Sequence, residues 1–218
     1  MRIMVYTPLA PTHPRIETQT LQSILALDWD TSFEVVLGRE DMERRLPDGE
    51  AFQNITGKYN WARGMMLAGN YDAMLTVEAD MVIPAMTLRR LTNIDADVAY
   101  GLYCSRRKGR KWLIFDQAKE HPFECNYMVD TPAERNEIWG GVVESKGMGM
   151  GCTLIHRRVL ERIPFRCPNP VVCNDWYLSV DCQKEGFTQA HDCGVVCGHI
   201  DDGQTYWPDP DNGYWMEG

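Results

Sequence analysis

Long apolar runs are absent from this chain: nothing in its 218 residues approaches the ~20 that cross a bilayer. The N-terminal Met-Arg-Ile-Met-Val-Tyr goes straight into a strand-like segment, with no charged, apolar and small-residue leader pattern before it. The expectation is a soluble, cytoplasmic protein with no membrane partner. Positive charge is also short, with 22 Lys and Arg against 31 Asp and Glu and a formal charge of −9. That balance disfavours a generic phosphate-coating protein, while leaving room for contact through a local basic patch. One such patch exists, Arg106, Arg107, Lys108, Arg110 and Lys111, on what reads as a solvated loop. The eight cysteines (104, 125, 152, 167, 173, 182, 193 and 197) contain no Cys-x-x-Cys pair and no compact secreted framework. Reduced, buried thiols are the default, and Cys193-x3-Cys197-x-His199 is kept as the start of a zinc site.

What the chain does have is strand alternating with helix. Arg2 to Thr7 reads as a first strand, ended by Pro8, Pro11 and Pro14. A helix from about Glu17 to Leu27 turns Leu21, Ile24 and Leu25 inward, and Phe33 to Leu37 is a second strand stopped by Gly38. This is the opening of an α/β sheet. Residues 41–56 are polar and read as an irregular connection, with a helix over 59–68. Asp97 to Cys104, Cys152 to Ile155 and Thr188 to Cys197 are further strands, whereas residues 117–145 show no usable periodicity.

The chemistry is concentrated in Met74 to Pro84. Met74 to Val77 is a buried strand, and Glu78 and Asp80 follow at its C-terminal edge, where open α/β sheets bind ligands. Residues i and i+2 of extended chain share a side, so both carboxylates can face one hard cation. Pro84 then allows a helix with Leu88 and Leu91 on one face. The plain alternative is two acids on a surface loop.

A second group lies downstream. Gly147-Met148-Gly149-Met150-Gly151 precedes a strand rather than a helix, which argues against a dinucleotide fold. Asn174-Asp175-Trp176-Tyr177 opens a helix closed by Gly186, and then come Gly186-Phe187, a strand and Gly198-His199. Taken alone, Asn174 or Asp175 is an N-cap. The tail from Asp201 to Gly218 holds Tyr206, Trp207, Tyr214 and Trp215, too aromatic for a plain disordered end. It either stacks on a sugar or base or packs back on the domain edge.

Together, Glu78-Ala79-Asp80, Asn60-Trp61-Ala62-Arg63, the glycine run, Asp175 and Gly198-His199 resemble the GT-A glycosyltransferases of the family-2-like group. The resemblance covers roughly residues 1–104 and 147–200. It implies a single α/β domain over 1–218, with a GT-A-like, Rossmann-type mixed sheet flanked by helices. Residues 1–104 would be the nucleotide-sugar half, 105–200 the acceptor and catalytic half, and 201–218 an aromatic tail. By that resemblance Thr7, Pro8, Arg63, Glu78, Ala79, Asp80, Gly149 and Gly151 bind the nucleotide-sugar, with both glycines leaving room for its sugar. Asp80 and His199 hold Mn²⁺ or Mg²⁺, and Asp175 is the general base of an inverting transfer. Trp176, Arg106, Arg107, Lys108 and Trp207 face the acceptor.

Two departures stand out. Glu78 replaces the usual first Asp, and Asn174 replaces the first acid of the catalytic helix. Gly38-Arg39-Glu40-Asp41 stands where the family often reads uracil, leaving Asp41 as the candidate there and a UDP-sugar as the expected donor. The acceptor hydroxyl expected from the basic patch and tail is that of a hydroxymethylated DNA base, with a glycan, lipid-linked saccharide or protein as alternatives. A sugar nucleotidyltransferase would carry a glycine-rich signature between Thr7 and Arg15, which is missing. A non-catalytic nucleotide-sugar-binding module remains the third class.

Overall fold

Ile3–Pro8 forms β1, and all six of its residues are buried, as a strand covered on both faces requires. The computed structural model describes residues 1–9, 16–30, 32–38, 51–106, 109–117, 119, 126–147, 149–168 and 174–217. After β1 the chain forms α1 (Thr18–Leu25), β2 (Glu34–Gly38), α2 (Ala51–Ala68), β3 (Ala73–Val77), β4 (Met81–Val82), α3 (Thr87–Thr92) and β5 (Val98–Leu102). A short ribbon of β6 (Phe115–Gln117) and β7 (Asn126–Tyr127) follows, then α4 (Pro132–Ile138), β8 (Val142–Glu144) and β9 (Cys152–His156). The remainder is α5 (Arg157–Arg162), α6 (Asn174–Glu185), β10 (Gln189–Val196), β11 (Gly198–Asp201), β12 (Gln204–Asp209) and β13 (Gly213–Glu217).

Seven strands make one mixed sheet in the order β2-β1-β3-β9-β5-β10-β8. β2, β1 and β3 are parallel, as are β5 and β10, while β9 runs antiparallel between β3 and β5. β8 closes one edge antiparallel to β10. The core fills both sides of this sheet, from Ile3, Met4, Val5 and Met74 through Leu154, Val159, Leu160 and Leu178. A mixed sheet between helices in one domain is the architecture the sequence implies.

A second sheet, β13-β12-β11-β4, is built mostly from the tail. Residues 201–217 are thus not a loose flap. Its β12–β13 hairpin turns at Gly213, whose φ of 86° suits glycine. Trp112 donates its indole N–H to the Gly213 carbonyl at 2.6 Å, and Arg135 donates to Pro210 O at 3.0 Å. These bonds dock the hairpin on a small core of Leu102, Cys104, Trp112, Ile114, Val129 and Cys193.

The structure corrects two readings. Helix α2 begins at Ala51, eight residues earlier than the apolar spacing indicates; in the added turns the fully buried residues among those described are the polar Thr56 and Lys58, with Ile55 packing partly against the core. Within 117–145 the structure places α4, which buries none of its residues and so leaves no periodic stripe. Its signal is local: Thr131 accepts from the Glu134 N–H, the Glu134 carboxylate answers the Thr131 N–H, and Pro132 opens the helix.

Gly101, in the middle of β5, has no space for a side chain. A Cβ there would lie 2.9 Å from Cys197 Sγ and 3.0 Å from Cys152 Sγ. Gly101→Ala is expected to cost about 1–3 kcal/mol through overpacking, read as a lower denaturant midpoint at unchanged m-value.

Candidate active site

The acidic triplet is a turn held by three backbone bonds. Glu78 N–H donates to Gly151 O (3.1 Å), Glu17 N–H to Ala79 O (2.9 Å) and Ile200 N–H to Asp80 O (2.8 Å). The chain then enters β4, which pairs antiparallel with β11 and sets His199 opposite Met81. That pairing joins two segments more than a hundred residues apart and brings together Glu78, Asp80 and His199. One ligand atom from each lies within 4.8 Å of the others. Asp80 and His199 are each 5 % exposed.

His199 is fixed as a ligand would have to be. Its Nδ1 lies 2.8 Å from Cys104 O, and a carbonyl only accepts, so Nδ1 carries the proton and Nε2 presents a lone pair. Burial, aided by the Arg106 and Arg110 charges and opposed by the Cys104 bond, pushes its pKa down to about 4. The ring is neutral at pH 7.

Glu78 is under the opposite stress. The residue as a whole is only partly buried, but burial around its carboxyl, followed by the negative charge of Asp175, raises its pKa to about 7. The pull of Arg106 only partly offsets this. Asp175 is the second residue of α6, where a helix N-terminus favours negative charge. Its Oδ1 accepts from Trp176 N–H at 2.7 Å, and its Oδ2 is 3.2 Å from where a Gly149 Cβ would sit. The structure therefore brings Asp175 beside the glycine segment and within electrostatic reach of Glu78.

Thr7 and Pro8 are buried at the end of β1, beside the strand that leads into Glu78. Thr7 Oγ1 is buried with no hydrogen-bond partner among the described residues. Two aromatic residues that sequence reasoning missed complete the site. Tyr103 packs edge-on against His199 at 5.7 Å and accepts from Gly151 N–H at 3.0 Å. Tyr59, on α2, is buried with its hydroxyl unpartnered among the described residues, and it feels the charges of Glu78 and Asp175. Neither lies in a motif that would have singled it out.

Other expectations change. The room left by Gly149 and Gly151 is taken by the Tyr103 ring: Cβ atoms there would sit 2.4 and 2.6 Å from its phenol. Arg63 donates to the Leu160 carbonyl (2.5 Å), and Asn60 bonds Phe165 through both amide atoms, so this motif clamps the end of α5. Trp176 packs against Phe115 and gives its indole N–H to Lys119 O at 2.7 Å, placing it in a small core. Trp207 stacks on Trp215. Because Tyr206 is the residue paired with His199, Trp207 points to the other face of the small sheet.

The basic patch disperses. Arg106 turns onto Asp80 and His199, Arg110 pairs with Asp201 at 2.7 Å under the Tyr206 ring, and Lys111 pairs with Asp130. Arg107, Lys108 and Asp41 lie outside the described residues. The zinc reading fails on placement: Cys193 belongs to the small core under the hairpin and Cys197 to the main core, away from the cluster that holds His199.

No family model matches the chain, and no curated protein sequence does either. The crystal structure of A197 from STIV superposes with a TM-score of 0.62 at 17 % identity, covering 100 % of this chain and 95 % of that one. The likeness is one of fold. S. aureus TarS 1–349, alone and in complex with UDP-GlcNAc, aligns at a TM-score of 0.49 and 15 % identity. That match covers 88 % of this chain and 58 % of the TarS structure, so the chain spans less than two thirds of its length.

The strained Glu78 gives a signed prediction. Its folded pKa of about 7 lies above its ordinary value, so the folded state is favoured below about pH 4.5 and loses that advantage as pH rises through 7. In EDTA, Glu78→Gln is expected to melt higher than wild type at pH 8, with the gap closing by pH 4.5. His199 and His191, the latter lowered to about 3 by burial, act in reverse. Their contribution is complete above about pH 6.5 and drains as pH falls toward 4. The Glu78→Gln melting curve should therefore fall on acidification without the alkaline decline.

Proposed function

We propose that this chain is a metal-dependent, inverting glycosyltransferase that moves a sugar from a nucleotide-sugar to an acceptor hydroxyl. The observation that carries the proposal is the Glu78, Asp80 and His199 cluster at the C-terminal edge of the sheet, with the Asp175 carboxylate beside it. The resemblance of the Glu-x-Asp, glycine-run and Asp-helix motifs to GT-A enzymes supports the same reading. A UDP-sugar is the donor that resemblance favours.

The donor set fits a divalent cation. Two carboxylates and a neutral imidazole suit Mn²⁺ better than Mg²⁺, which prefers oxygen alone. Asp80 and the His199 Nε2 lone pair would hold it, with Glu78 as third ligand or as acceptor of bonds from its water. When bound there, the cation supplies positive charge that stabilises the leaving diphosphate.

The remaining chemistry belongs to the chain. Asp175 would take the proton of the acceptor hydroxyl as general base. Its place in the first turn of α6 favours a negative charge there. Tyr103 fixes the glycine segment and the His199 ring, so base and ligands stay in register. Thr7 Oγ1 and the Tyr59 hydroxyl are donors for the nucleotide side. The acceptor is specified only as a hydroxyl. Arg106, Arg110 and Lys111 of the basic patch each answer a carboxylate, which removes their share of the case for a hydroxymethylated DNA base.

The test is a thermal-shift screen of nucleoside diphosphates and nucleotide-sugars with Mn²⁺, Mg²⁺ or EDTA. A ligand bound by the native state alone raises the melting point. Asp80→Asn and His199→Ala should abolish any metal-dependent shift. Asp175→Asn should keep it while slowing donor hydrolysis and transfer by about 10²-fold or more. The proposal fails if no nucleotide shifts the wild type under any metal condition.

A further inference from the structure

Arg106 takes the lone pair that a cation would need. Its Nε–H donates to His199 Nε2 at 2.8 Å, and the same guanidinium pairs with the Asp80 carboxylate. An imidazole nitrogen has one lone pair in the ring plane, so Nε2 can serve either Arg106 or a metal, never both at once. Asp80 has two oxygens and can be shared. Arginine does not deprotonate in proteins, so the conflict resolves only if the guanidinium moves.

The surroundings allow that movement. The Arg106 side chain is 42 % exposed, against 7 % for Asp80. The backbone around it is held by the Cys104–Trp112 bridge and by Ser105 N–H donating to Lys111 O at 2.9 Å. A half-exposed head on a tied backbone has solvent to rotate into without moving the chain. There is also a reason for the head to rest where it does. A buried Asp80 with no counter-charge would be costly, and His199 Nε2 would lose the donor that occupies its lone pair.

We propose that Arg106 is the resident counter-ion of the site. It keeps Asp80 and His199 in ligand geometry until a divalent cation displaces it, and its freed planar fork then clamps the diphosphate that the cation engages. Metal and donor are thereby coupled. A cation arriving alone has to displace Arg106 without return, whereas a cation arriving with a diphosphate gives the guanidinium a new anion. The inference rests on the metal-dependent reading above.

Mn²⁺ binding measured by calorimetry, without and with inorganic pyrophosphate, tests it on wild type, Arg106→Gln and Arg106→Lys. Arg106→Gln is expected to bind Mn²⁺ alone about tenfold tighter than wild type, the order of one charge-assisted hydrogen bond at a half-exposed site. With pyrophosphate present that advantage should vanish or reverse. Arg106→Lys, which keeps the charge but loses the fork, should fall between. In ¹H–¹⁵N spectra, the wild-type Nε–H signal that is missing from Arg106→Gln should shift or disappear at saturating Mg²⁺. Equal or weaker Mn²⁺ binding by a folded Arg106→Gln, or an Nε–H signal that Mg²⁺ leaves in place, overturns the inference while leaving the metal site standing. If no cation binds any of the three proteins, the inference falls together with the metal-dependent reading.

Discussion

The site depends on a short piece of β-ladder. β4 contributes two residues, and its pairing with β11 sets Met81 opposite His199 while Ile200 N–H reaches back to Asp80 O. A strand of two residues cannot hold itself. It survives because β12 and β13 extend the same small sheet and because the hairpin is tied to Trp112 and Arg135. The β12–β13 hairpin is thus the far end of the lever that seats a metal-ligand candidate.

The electrostatics follow from that enclosure. Glu78 lies beside buried Asp80 and feels the charge of Asp175, in a partly buried setting where charge interactions are stronger than in water. The fold manages the three differently. Asp80 pairs with Arg106 and Asp175 has a helix N-terminus, whereas for Glu78 burial and the Asp175 charge outweigh the pull of Arg106 and raise its pKa to about 7. A carboxyl shifted by burial and by a neighbouring carboxylate is a candidate functional group.

The main sheet was largely legible in the sequence because its strands are continuous apolar runs bounded by proline, glycine and acids. Glu78, Asp80 and His199 were legible as well, since their motif fixes their place at a sheet edge. What could not be read were properties that depend on partners distant in sequence. The second sheet arises only when residues 81–82 meet 198–201, and no local pattern announces that meeting. Tyr103 and Tyr59 resemble core aromatics until the fold sets them beside carboxylates. The basic run from Arg106 to Lys111 looked like one patch because charges adjacent in sequence are read as adjacent in space. Alternation along the chain and three separate acids send its described members in different directions. Helix α4 was missed for the reverse reason: its start was written locally, in Thr131, Pro132 and Glu134, where the reading looked for an apolar stripe.

The position of β9 has a consequence for how the chain is made. It is the wedge between β3 and β5, although it is encoded some fifty residues after β5. As the polypeptide leaves the ribosome, β1, β2 and β3 can assemble at once, but the far side of β3 stays unsatisfied until residues 152–156 emerge. For that interval Met74, Leu75 and Val77 sit on an open, apolar edge, the kind that recruits strands from other molecules. The segment between residues 104 and 152 therefore sets a waiting time during synthesis. Lengthening it should put yield at risk before it disturbs the finished protein.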